Sequence, residues 1–372
     1  MYSFFPDSYM LSQAVMRALY TGGSPGEVLA AVAELSALEG EERIAAWPSA
    51  WLRQAERCMS LGADSTDAGH QRTARESFMR ACVYYQWAAV YGCEYETTRE
   101  LNRQSRVAFG RFAELSVPQI EAVQVPYQGT RLPAWFVPAA EQRDAGPVAV
   151  YLPGWDSTKE QGYSLAAELA DRGIASLLLD GPGIGEALHE LGLVNRYDYE
   201  VPGKAAIDYV LDRDDVASDG VFVIGSSLGG YRAGRLCAFD DRLAGGVIWG
   251  AMWDFGAAWS TWAERGVSPT GAEHALRALG VNSMEEVTAA LEDWKLAGVA
   301  DQIQCPLLVV HGSDDAQVPV SHAEKLVSAA TNDDTTLKLF GKDELGSAHC
   351  QNDHRLIAHT TIADWVMDRW PG

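Results

Sequence analysis

The feature that most constrains this chain is the segment 225–229, Gly-Ser-Ser-Leu-Gly, which directly follows the apolar run 221–224. In a G-x-S-x-G pattern the central serine lies on a sharp turn between a strand and a helix, and its hydroxyl projects above the sheet. The flanking glycines are needed because a larger side chain would collide with the neighbouring strand or helix. Residues 231–237 favour a helix after the turn. We therefore expect Ser227 to be a nucleophile; the alternative is a tight glycine turn in an ordinary α/β protein.

Short apolar runs separated by helix-length segments dominate the last two thirds of the chain. Such runs are typical of parallel strands that are covered by helices on both faces. Two earlier runs, 120–126 and 132–138, are joined by Gln128-Gly129-Thr130 and predict a β-hairpin. The pattern predicts a doubly covered, mostly parallel sheet. Its predicted strands lie at 148–152, 175–179, 221–224, 246–249, 307–310 and 336–340.

Helical periodicity dominates the first 115 residues, where apolar and aromatic side chains recur at three- and four-residue steps between glycine, proline, serine and aspartate breaks. The predicted helices are 9–19, 25–38, 47–61, 70–91 and 97–115. Residues 252–300 interrupt the later alternation of strands and helices with a helical segment that contains four tryptophans, which we interpret as a cap over the strand ends. The predicted organisation is an N-terminal helical region at 1–117, an α/β core in two parts at 118–251 and 301–372, and a helical cap at 252–300.

The charge and the cysteines limit the classes of partner. The 372 residues include 51 acidic and 29 basic side chains, which give a formal net charge of −22. Such a surplus of negative charge argues against nucleic acid or an anionic membrane as partner. The six cysteines form no C-x-x-C pair and no grouping with histidine that is typical of a metal site. Since a signal peptide and a long apolar run are not apparent, we expect a cytoplasmic protein.

A serine hydroxyl needs a base, and the base needs an acid that orients it. In the α/β-hydrolase fold, which the elbow and the strand pattern resemble, the acid and then the histidine follow the serine along the chain. Asp315 comes soon after the strand 307–310 and is the expected acid, with Asp314 as the neighbouring contender. His349 lies among small residues after the last strand and is the expected base. The histidines interpreted as structural or surface residues are His311, His354 and His359.

The anion that forms when serine attacks a carbonyl needs two N–H donors that are already in place. Leu228 is expected to supply one, because its N–H opens the helix after the nucleophile. The loop after the strand 148–152 is expected to supply the other, with Trp155 N–H as the first choice and Gly154 N–H as the second. The glycine-rich loop 180–186 lacks the spacings of nucleotide-binding loops and is interpreted as a turn that lines the cleft.

Four features together resemble one group of α/β-hydrolases: the helical N-terminal region, the Asp-Gly-Pro-Gly-Ile-Gly-Glu loop, the Gly-Ser-Ser-Leu-Gly-Gly elbow and the His-Cys-Gln-Asn segment. This group contains 2,6-dihydroxypseudooxynicotine hydrolase, polyketide chain-shortening hydrolases and relatives of the fermentation-respiration switch protein. The resemblance implies a triad of Ser227, Asp315 and His349, a small-molecule substrate, a homodimer, and no metal or cofactor. It also implies a reaction that often cleaves a C–C bond beside a ketone.

Some members of that group place a carboxylate of the cap near the nucleophile. Asp254 is a candidate for this position, and it is equally a candidate N-cap of a cap helix. Trp253 and Trp259 offer a flat apolar wall for an aromatic or polyene substrate, or they simply pack the cap. Attack by Ser227 on a carbonyl is common to C–C bond cleavage and to hydrolysis of an ester, lactone or thioester, so both reactions stay open. A non-enzymatic binding protein on the same scaffold is the third alternative, against which the intact triad argues.

Overall fold

A computed structural model describes residues 3–141 and 145–370 of the chain, so the outermost residues of the predicted first and last segments lie outside the described residues. The chain divides into two compact units, with the boundary at Glu121, where the first strand begins. No helix within the described ranges is both long enough and apolar enough to cross a membrane.

The described part of the first unit contains five helices, α1 to α5, at Tyr9–Tyr20, Pro25–Ser36, Gly40–Asp67, Gln71–Val90 and Tyr95–Glu114. The main difference between the predicted and the observed helices concerns α3, which was predicted at 47–61 and begins at Gly40. Pro48 favours a later start, because a proline inside a helix cannot donate to the carbonyl four residues earlier. The roughly two additional turns at the N-terminus are held by Arg43, whose guanidinium donates to the Leu38 carbonyl and pairs with Asp7 at 2.6 Å.

In the described part of the second unit, eight strands form one sheet. The strands are β1 Glu121–Tyr127, β2 Thr130–Val137, β3 Gly146–Leu152, β4 Ala175–Leu179, β5 Val216–Ser226, β6 Gly245–Trp249, β7 Leu307–Gly312 and β8 Thr335–Phe340. Their order is β1-β2-β4-β3-β5-β6-β7-β8, with β2 antiparallel to β4 and the pairs from β4 to β8 parallel. Gln128 and Gly129 join β1 to β2 with φ of 42° and 80°, and two positive φ values are the requirement of a type I′ hairpin turn.

Helices cover both faces of this sheet, as expected from the sequence. Neighbouring residues of a strand face opposite sides, and on β6 a side chain at Gly245 would meet Trp365, whereas one at Gly246 would meet Cys237. Trp365 and Cys237 belong to different helices, which therefore lie on opposite faces. The predicted α/β-hydrolase fold is confirmed. The helices of this unit are α6 Tyr163–Ala170, α7 Gly185–His189, α8 Glu200–Leu211, α9 Leu228–Phe239, α10 Phe255–Arg265, α11 Ala272–Leu279, α12 Met284–Ala290, α13 Ser321–Ala329 and α14 Arg355–Arg369.

A buried ionic cluster joins the loop after β3 to the glycine-rich loop after β4. Lys159 is 1% exposed, and its Nζ lies 2.9 Å from Asp180, 2.9 Å from Glu186 and 3.1 Å from Glu160. The Asp180 carboxylate also accepts from the backbone N–H groups of Lys159 and Glu186. Because a buried charge needs partners, the three carboxylates and the lysine hold the two loops together.

Candidate active site

The turn between β5 and α9 has the backbone that a nucleophile elbow requires. Ser227 has φ 57° and ψ −119°, an uncommon conformation for a residue with a side chain. Its N–H donates to the Trp249 carbonyl at 2.7 Å. A Cβ at Gly225 would lie 1.9 Å from the Gly229 carbonyl oxygen, and one at Gly229 would lie 2.0 Å from the Leu152 carbonyl oxygen. The glycines of the motif are therefore required by the close packing of strand, turn and helix.

The structure brings three of the predicted site residues into one chain of hydrogen bonds. His349 Nε2 lies 2.9 Å from Ser227 Oγ, and His349 Nδ1 lies 2.6 Å from Asp315 Oδ2. With Nδ1–H donating to Asp315, Nε2 is free to accept the serine proton. Asp314, the contender for the acid, is exposed and pairs with Lys342 at 3.3 Å instead.

Asp315 is buried, and its carboxylate is held from both sides. Oδ1 accepts from the backbone N–H groups of Gln317 at 2.9 Å and Val318 at 2.8 Å, which leaves Oδ2 for His349. Burial on its own raises the pKa of Asp315, but the His349 charge and the hydrogen bonds outweigh it and hold that pKa below its usual value. His311 lies beside the same carboxylate, and its Nε2 donates to the Val318 carbonyl at 2.9 Å. The acid is thus kept charged and oriented.

The loop that carries His349 is fixed on both sides of the histidine. The N–H groups of Ser347 and Ala348 both donate to the Asp353 carboxylate, each at 3.1 Å. Cys350, next to the histidine, has φ 47°, so the chain turns sharply there. Burial lowers the pKa of His349, but the Asp315 carboxylate, with a contribution from Cys350, raises it well above the usual value. The sequence reasoning missed Asp353; its signal is an aspartate four residues after the histidine, just before the last helix.

The predicted donors of the oxyanion site lie on two sides of Ser227. Leu228 is the first residue of α9, where the N–H has no partner within the helix. A Cβ at Gly154 would lie 3.2 Å from Ser227 Cβ and 3.7 Å from Ser227 Oγ, so this loop packs directly against the nucleophile. Trp155 follows in the same loop, and its indole Nε1 donates to Thr270 Oγ1 at 2.9 Å.

The side chain of Trp155 belongs to an aromatic cluster with the helical segment after β6. Its ring centroid lies 5.2 Å from Phe255, 6.0 Å from Trp259 and 5.1 Å from His274. A second link runs from Trp262, whose indole N–H donates to the Gln317 carbonyl at 3.1 Å. The helical segment therefore contacts the loop beside the nucleophile as well as the loop of the acid.

The structure separates the other three residues predicted for substrate contact. Trp259 packs on Trp155 in the aromatic cluster. Trp253 lies beside α13, where it lines an open hollow and its backbone N–H donates to His322 Nδ1 at 3.2 Å. Asp254 is the N-cap of α10, because its Oδ1 accepts from the Ala257 N–H at 2.9 Å.

A buried polar group behind the Gly154 loop was also missed. Arg232, on α9, is 0% exposed, and it donates from Nη1 to the Pro153 carbonyl at 2.7 Å and from Nη2 to Asn195 Oδ1 at 2.9 Å. The ring of Tyr199 lies 4.6 Å from the guanidinium carbon. The only sequence signal is an arginine within an apolar, glycine-rich helix, and its partners are distant in the chain.

Known proteins resemble this chain in sequence and in structure. A sequence profile of the prolyl oligopeptidase family matches residues 163–369. The 2,6-dihydropseudooxynicotine hydrolase of Paenarthrobacter nicotinovorans is 27% identical over 327 residues, which cover 87% of this chain and 84% of that protein. The alpha/beta hydrolase ucsC of an Acremonium species is 33% identical over 268 residues, 66% of this chain; this match spans about half, 54%, of the relative's length.

Among solved structures, that of 2,6-dihydroxy-pseudo-oxynicotine hydrolase matches with a TM-score of 0.82 at 24% identity and covers 95% of each chain. A second match, AbyA5, has a TM-score of 0.67 at 22% identity and covers 91% of this chain and 93% of its own. These structures share the fold of this chain. The resemblance inferred from the motifs is confirmed.

Proposed function

The chain belongs to the prolyl oligopeptidase family and is an α/β-hydrolase, and from this premise we propose that it is a serine hydrolase with a catalytic triad of Ser227, His349 and Asp315. The observation that carries the proposal is the unbroken pair of hydrogen bonds from Ser227 Oγ through the His349 ring to Asp315. A structural serine has no need of a strained backbone and an oriented imidazole together.

The proposed reaction begins with attack of Ser227 Oγ on a carbonyl carbon, while His349 Nε2 takes the hydroxyl proton. Asp315 stabilises the imidazolium that results. The carbonyl oxygen becomes an anion that accepts from Leu228 N–H and from an N–H of the Gly154–Trp155 loop. Collapse of this intermediate expels the leaving group, to which His349 returns the proton. Water, activated by the same histidine, then hydrolyses the acyl-enzyme.

For the substrate, we propose a ketone-bearing aromatic or polyketide-like small molecule that is cleaved at the C–C bond beside the ketone. The relative named 2,6-dihydropseudooxynicotine hydrolase supports this class, because the alignment covers most of both chains. The indole of Trp259, which is partly exposed and packs on the buried Trp155 ring at 6.0 Å, is suited to contact a flat substrate. The departing carbon must carry negative charge, as an enolate or a hydroxylated ring does.

Hydrolysis of an ester, lactone or thioester is the second candidate, and one observation favours it. The Asp254 carboxylate caps α10 through Oδ1, so this oxygen is already engaged with the Ala257 N–H. A second acid beside the nucleophile helps a carbon leaving group, whereas an ester oxygen leaves with the proton from His349 alone.

The deciding experiment is product analysis with an aryl β-diketone, a lactone and a p-nitrophenyl ester. C–C hydrolysis yields one carboxylic acid and one ketone per diketone consumed. Ser227→Ala should lower kcat by about 10⁴-fold or more on every substrate that is turned over. Ser226→Ala is the matched control, since Ser226 Oγ lies 2.8 Å from the Tyr151 hydroxyl, and it should change kcat by less than about threefold. A Ser227→Ala variant with a tenth of the original turnover would refute the triad.

The role of Asp254 separates the two chemistries. Asp254→Asn retains the size and the capping oxygen but removes the charge. If Asp254 assists a carbon leaving group, the variant should lose about 10²-fold in diketone cleavage and keep its rate on the ester. Parallel rates on both substrates would identify Asp254 as a helix cap only and favour the ester hydrolase.

We also propose that the enzyme is a homodimer, as the resemblance to its group implies. Sedimentation velocity at micromolar concentration tests this assembly. A single species with the mass of one 40.4 kDa chain would refute it.

A further inference from the structure

Arg232 is a buried cation whose charge is not balanced by a carboxylate. No Asp or Glu within residues 3–141 or 145–370 forms an ion pair with it, whereas Arg235, one turn further along α9, pairs with Glu200 at 2.6 Å. Its two hydrogen bonds go to neutral oxygens, the Pro153 carbonyl and Asn195 Oδ1. Burying an uncompensated charge is costly, so a residue of this kind calls for a functional explanation.

The residues next to Arg232 also carry buried polar atoms that lack a hydrogen-bond partner. Within the described part of the chain, Arg232 Nε, Asn195 Nδ2 and the Tyr199 hydroxyl are buried without a hydrogen-bond partner. Gly181 packs against the Tyr199 hydroxyl and Gly183 against the Asn195 amide, which leaves no space there for a side chain. The partners that these segments give the guanidinium are the Pro153 carbonyl, Asn195 Oδ1 and the face of the Tyr199 ring at 4.6 Å, and all three are neutral.

One hydrogen bond connects this positive region to the proposed oxyanion site. Arg232 Nη1 donates to the Pro153 carbonyl, and the same peptide group carries the Gly154 N–H on its opposite side, since C=O and N–H point in opposite directions across a trans peptide. Gly154 packs against Ser227. A cation at a carbonyl oxygen polarises the peptide and strengthens the N–H as a donor.

We propose that Arg232 is a positioning residue that fixes the Pro153–Gly154 peptide and, through it, supplies positive charge to the oxyanion formed at Ser227. The anion that balances the buried charge is then the transition state itself. The inference rests on the proposed serine hydrolase function, and it selects Gly154 N–H as a donor to the oxyanion. Interactions that strengthen only when charge develops accelerate the chemical step and leave substrate binding unchanged.

The test compares two inhibitors of the full-length enzyme. With an aryl trifluoromethyl ketone, Ser227 Oγ adds to the carbonyl carbon, its proton passes to His349, and the ketone oxygen becomes an anion. The matching methyl ketone binds without forming this anion. Arg232→Met should raise Ki for the trifluoromethyl ketone by about 10²-fold, the scale of losing one oxyanion donor, and change Ki for the methyl ketone by less than about threefold. Arg232→Lys, which keeps the charge, should recover part of the loss.

Asn195→Asp provides a test that keeps Arg232 itself. The new carboxylate, of nearly the same shape, would pair with Arg232 Nη2 and balance its charge. The thermal midpoint should stay the same or rise, because a buried charge gains a partner. The inference nevertheless predicts that Ki for the trifluoromethyl ketone rises by about tenfold, since the charge is no longer available to the oxyanion. A purely structural Arg232 predicts no such loss in a stable variant.

Arg235→Met is the matched control, because it removes an arginine of the same helix whose charge Glu200 already balances. It should leave the ratio of the two Ki values unchanged. The inference is overturned if Asn195→Asp leaves that ratio at its original value, or if Arg232→Met and Arg232→Lys weaken both ketones equally. If the trifluoromethyl ketone does not inhibit the unaltered enzyme, or inhibits Ser227→Ala equally, the proposed function itself is refuted.

Discussion

Replacement of Asp315 by Asn tests the centre of the proposed mechanism, because the change keeps the shape of the side chain and removes its charge. Oδ1 would still accept from the N–H groups of Gln317 and Val318. The amide NH₂ would then face His349 Nδ1, where the carboxylate accepted a proton at 2.6 Å. Two donors cannot share this contact, so His349 must expose Nδ1 and carry its proton on Nε2, the nitrogen that faces Ser227.

The size of the loss follows from this geometry. Opposite charges about 4 Å apart attract by about 4 kcal/mol at an effective dielectric constant of about 20, and this attraction to the imidazolium disappears. Restoring the productive tautomer breaks a further hydrogen bond, at a cost of about 1.5 kcal/mol. The combined barrier increase of about 5.5 kcal/mol corresponds to about a 10⁴-fold loss in kcat/KM.

The assay is kcat/KM on an activated ester, with circular dichroism to establish that the Asn variant is folded. Asp314→Asn is the control, because Asp314 is exposed and paired with Lys342, and it should retain activity to within about threefold. A folded Asp315→Asn variant that loses less than about tenfold would contradict the charge argument. Equal losses in the two variants would reject Asp315 as the acid.

Three further predictions concern pH, the aromatic cluster and the ionic cluster. Because the pKa of His349 lies well above 6.5 and only the neutral ring accepts a proton, kcat/KM should fall as the pH falls through a value above 6.5; a limb below 6 in the pH–rate profile would contradict this. Trp259→Ala should reduce kcat/KM for a bulky aryl substrate by about tenfold more than for p-nitrophenyl acetate. Trp253→Ala, beside α13, should affect the two substrates alike. If only Trp253→Ala discriminated between the substrates, Trp259 would not be the residue that contacts the aryl group. Lys159→Met should lower the free energy of unfolding by about 3–5 kcal/mol in urea titrations, since buried carboxylates lose their cation, and a change below about 1 kcal/mol would refute the cluster's structural role.

Local patterns were sufficient to predict the sheet, and the order of serine, acid and histidine that the resemblance to α/β-hydrolases implies selected the candidate triad residues. Buried parallel strands are continuous apolar runs, and for this reason β4 was predicted at its observed bounds. The G-x-S-x-G elbow was predicted because few other structures fit that motif after a strand. β5 begins at Val216, earlier than the predicted 221. Val216 pairs with Gly146 and Val221 with Val148, and the register shifts between these pairs, where residues 218 and 219 are exposed and polar. Apolar patterning carries no signal for such an extension.

Contacts between distant segments that lie outside the triad could not be predicted. Arg232 meets Asn195, 37 positions away, and Pro153, 79 positions away, and neither local periodicity nor spacing relates these residues. The sequence was compatible with two interpretations of Asp254, as a helix N-cap and as a second carboxylate near the nucleophile. The hydrogen bond from the Ala257 N–H supports the N-cap. A role of Asp254 in the reaction stays a prediction. The predicted domain boundaries also stay predictions.

Trp155 has a consequence for how such an enzyme changes its substrate range. Its backbone lies in the loop beside Ser227, while its indole is enclosed by Phe255, Trp259 and His274 and anchored to Thr270. The helical segment after β6 is therefore not an interchangeable module. If this segment were replaced by that of another hydrolase without the residues that enclose the Trp155 indole, we expect turnover to change along with selectivity. A change of substrate range that preserves turnover must therefore keep these contacts and vary the residues around them.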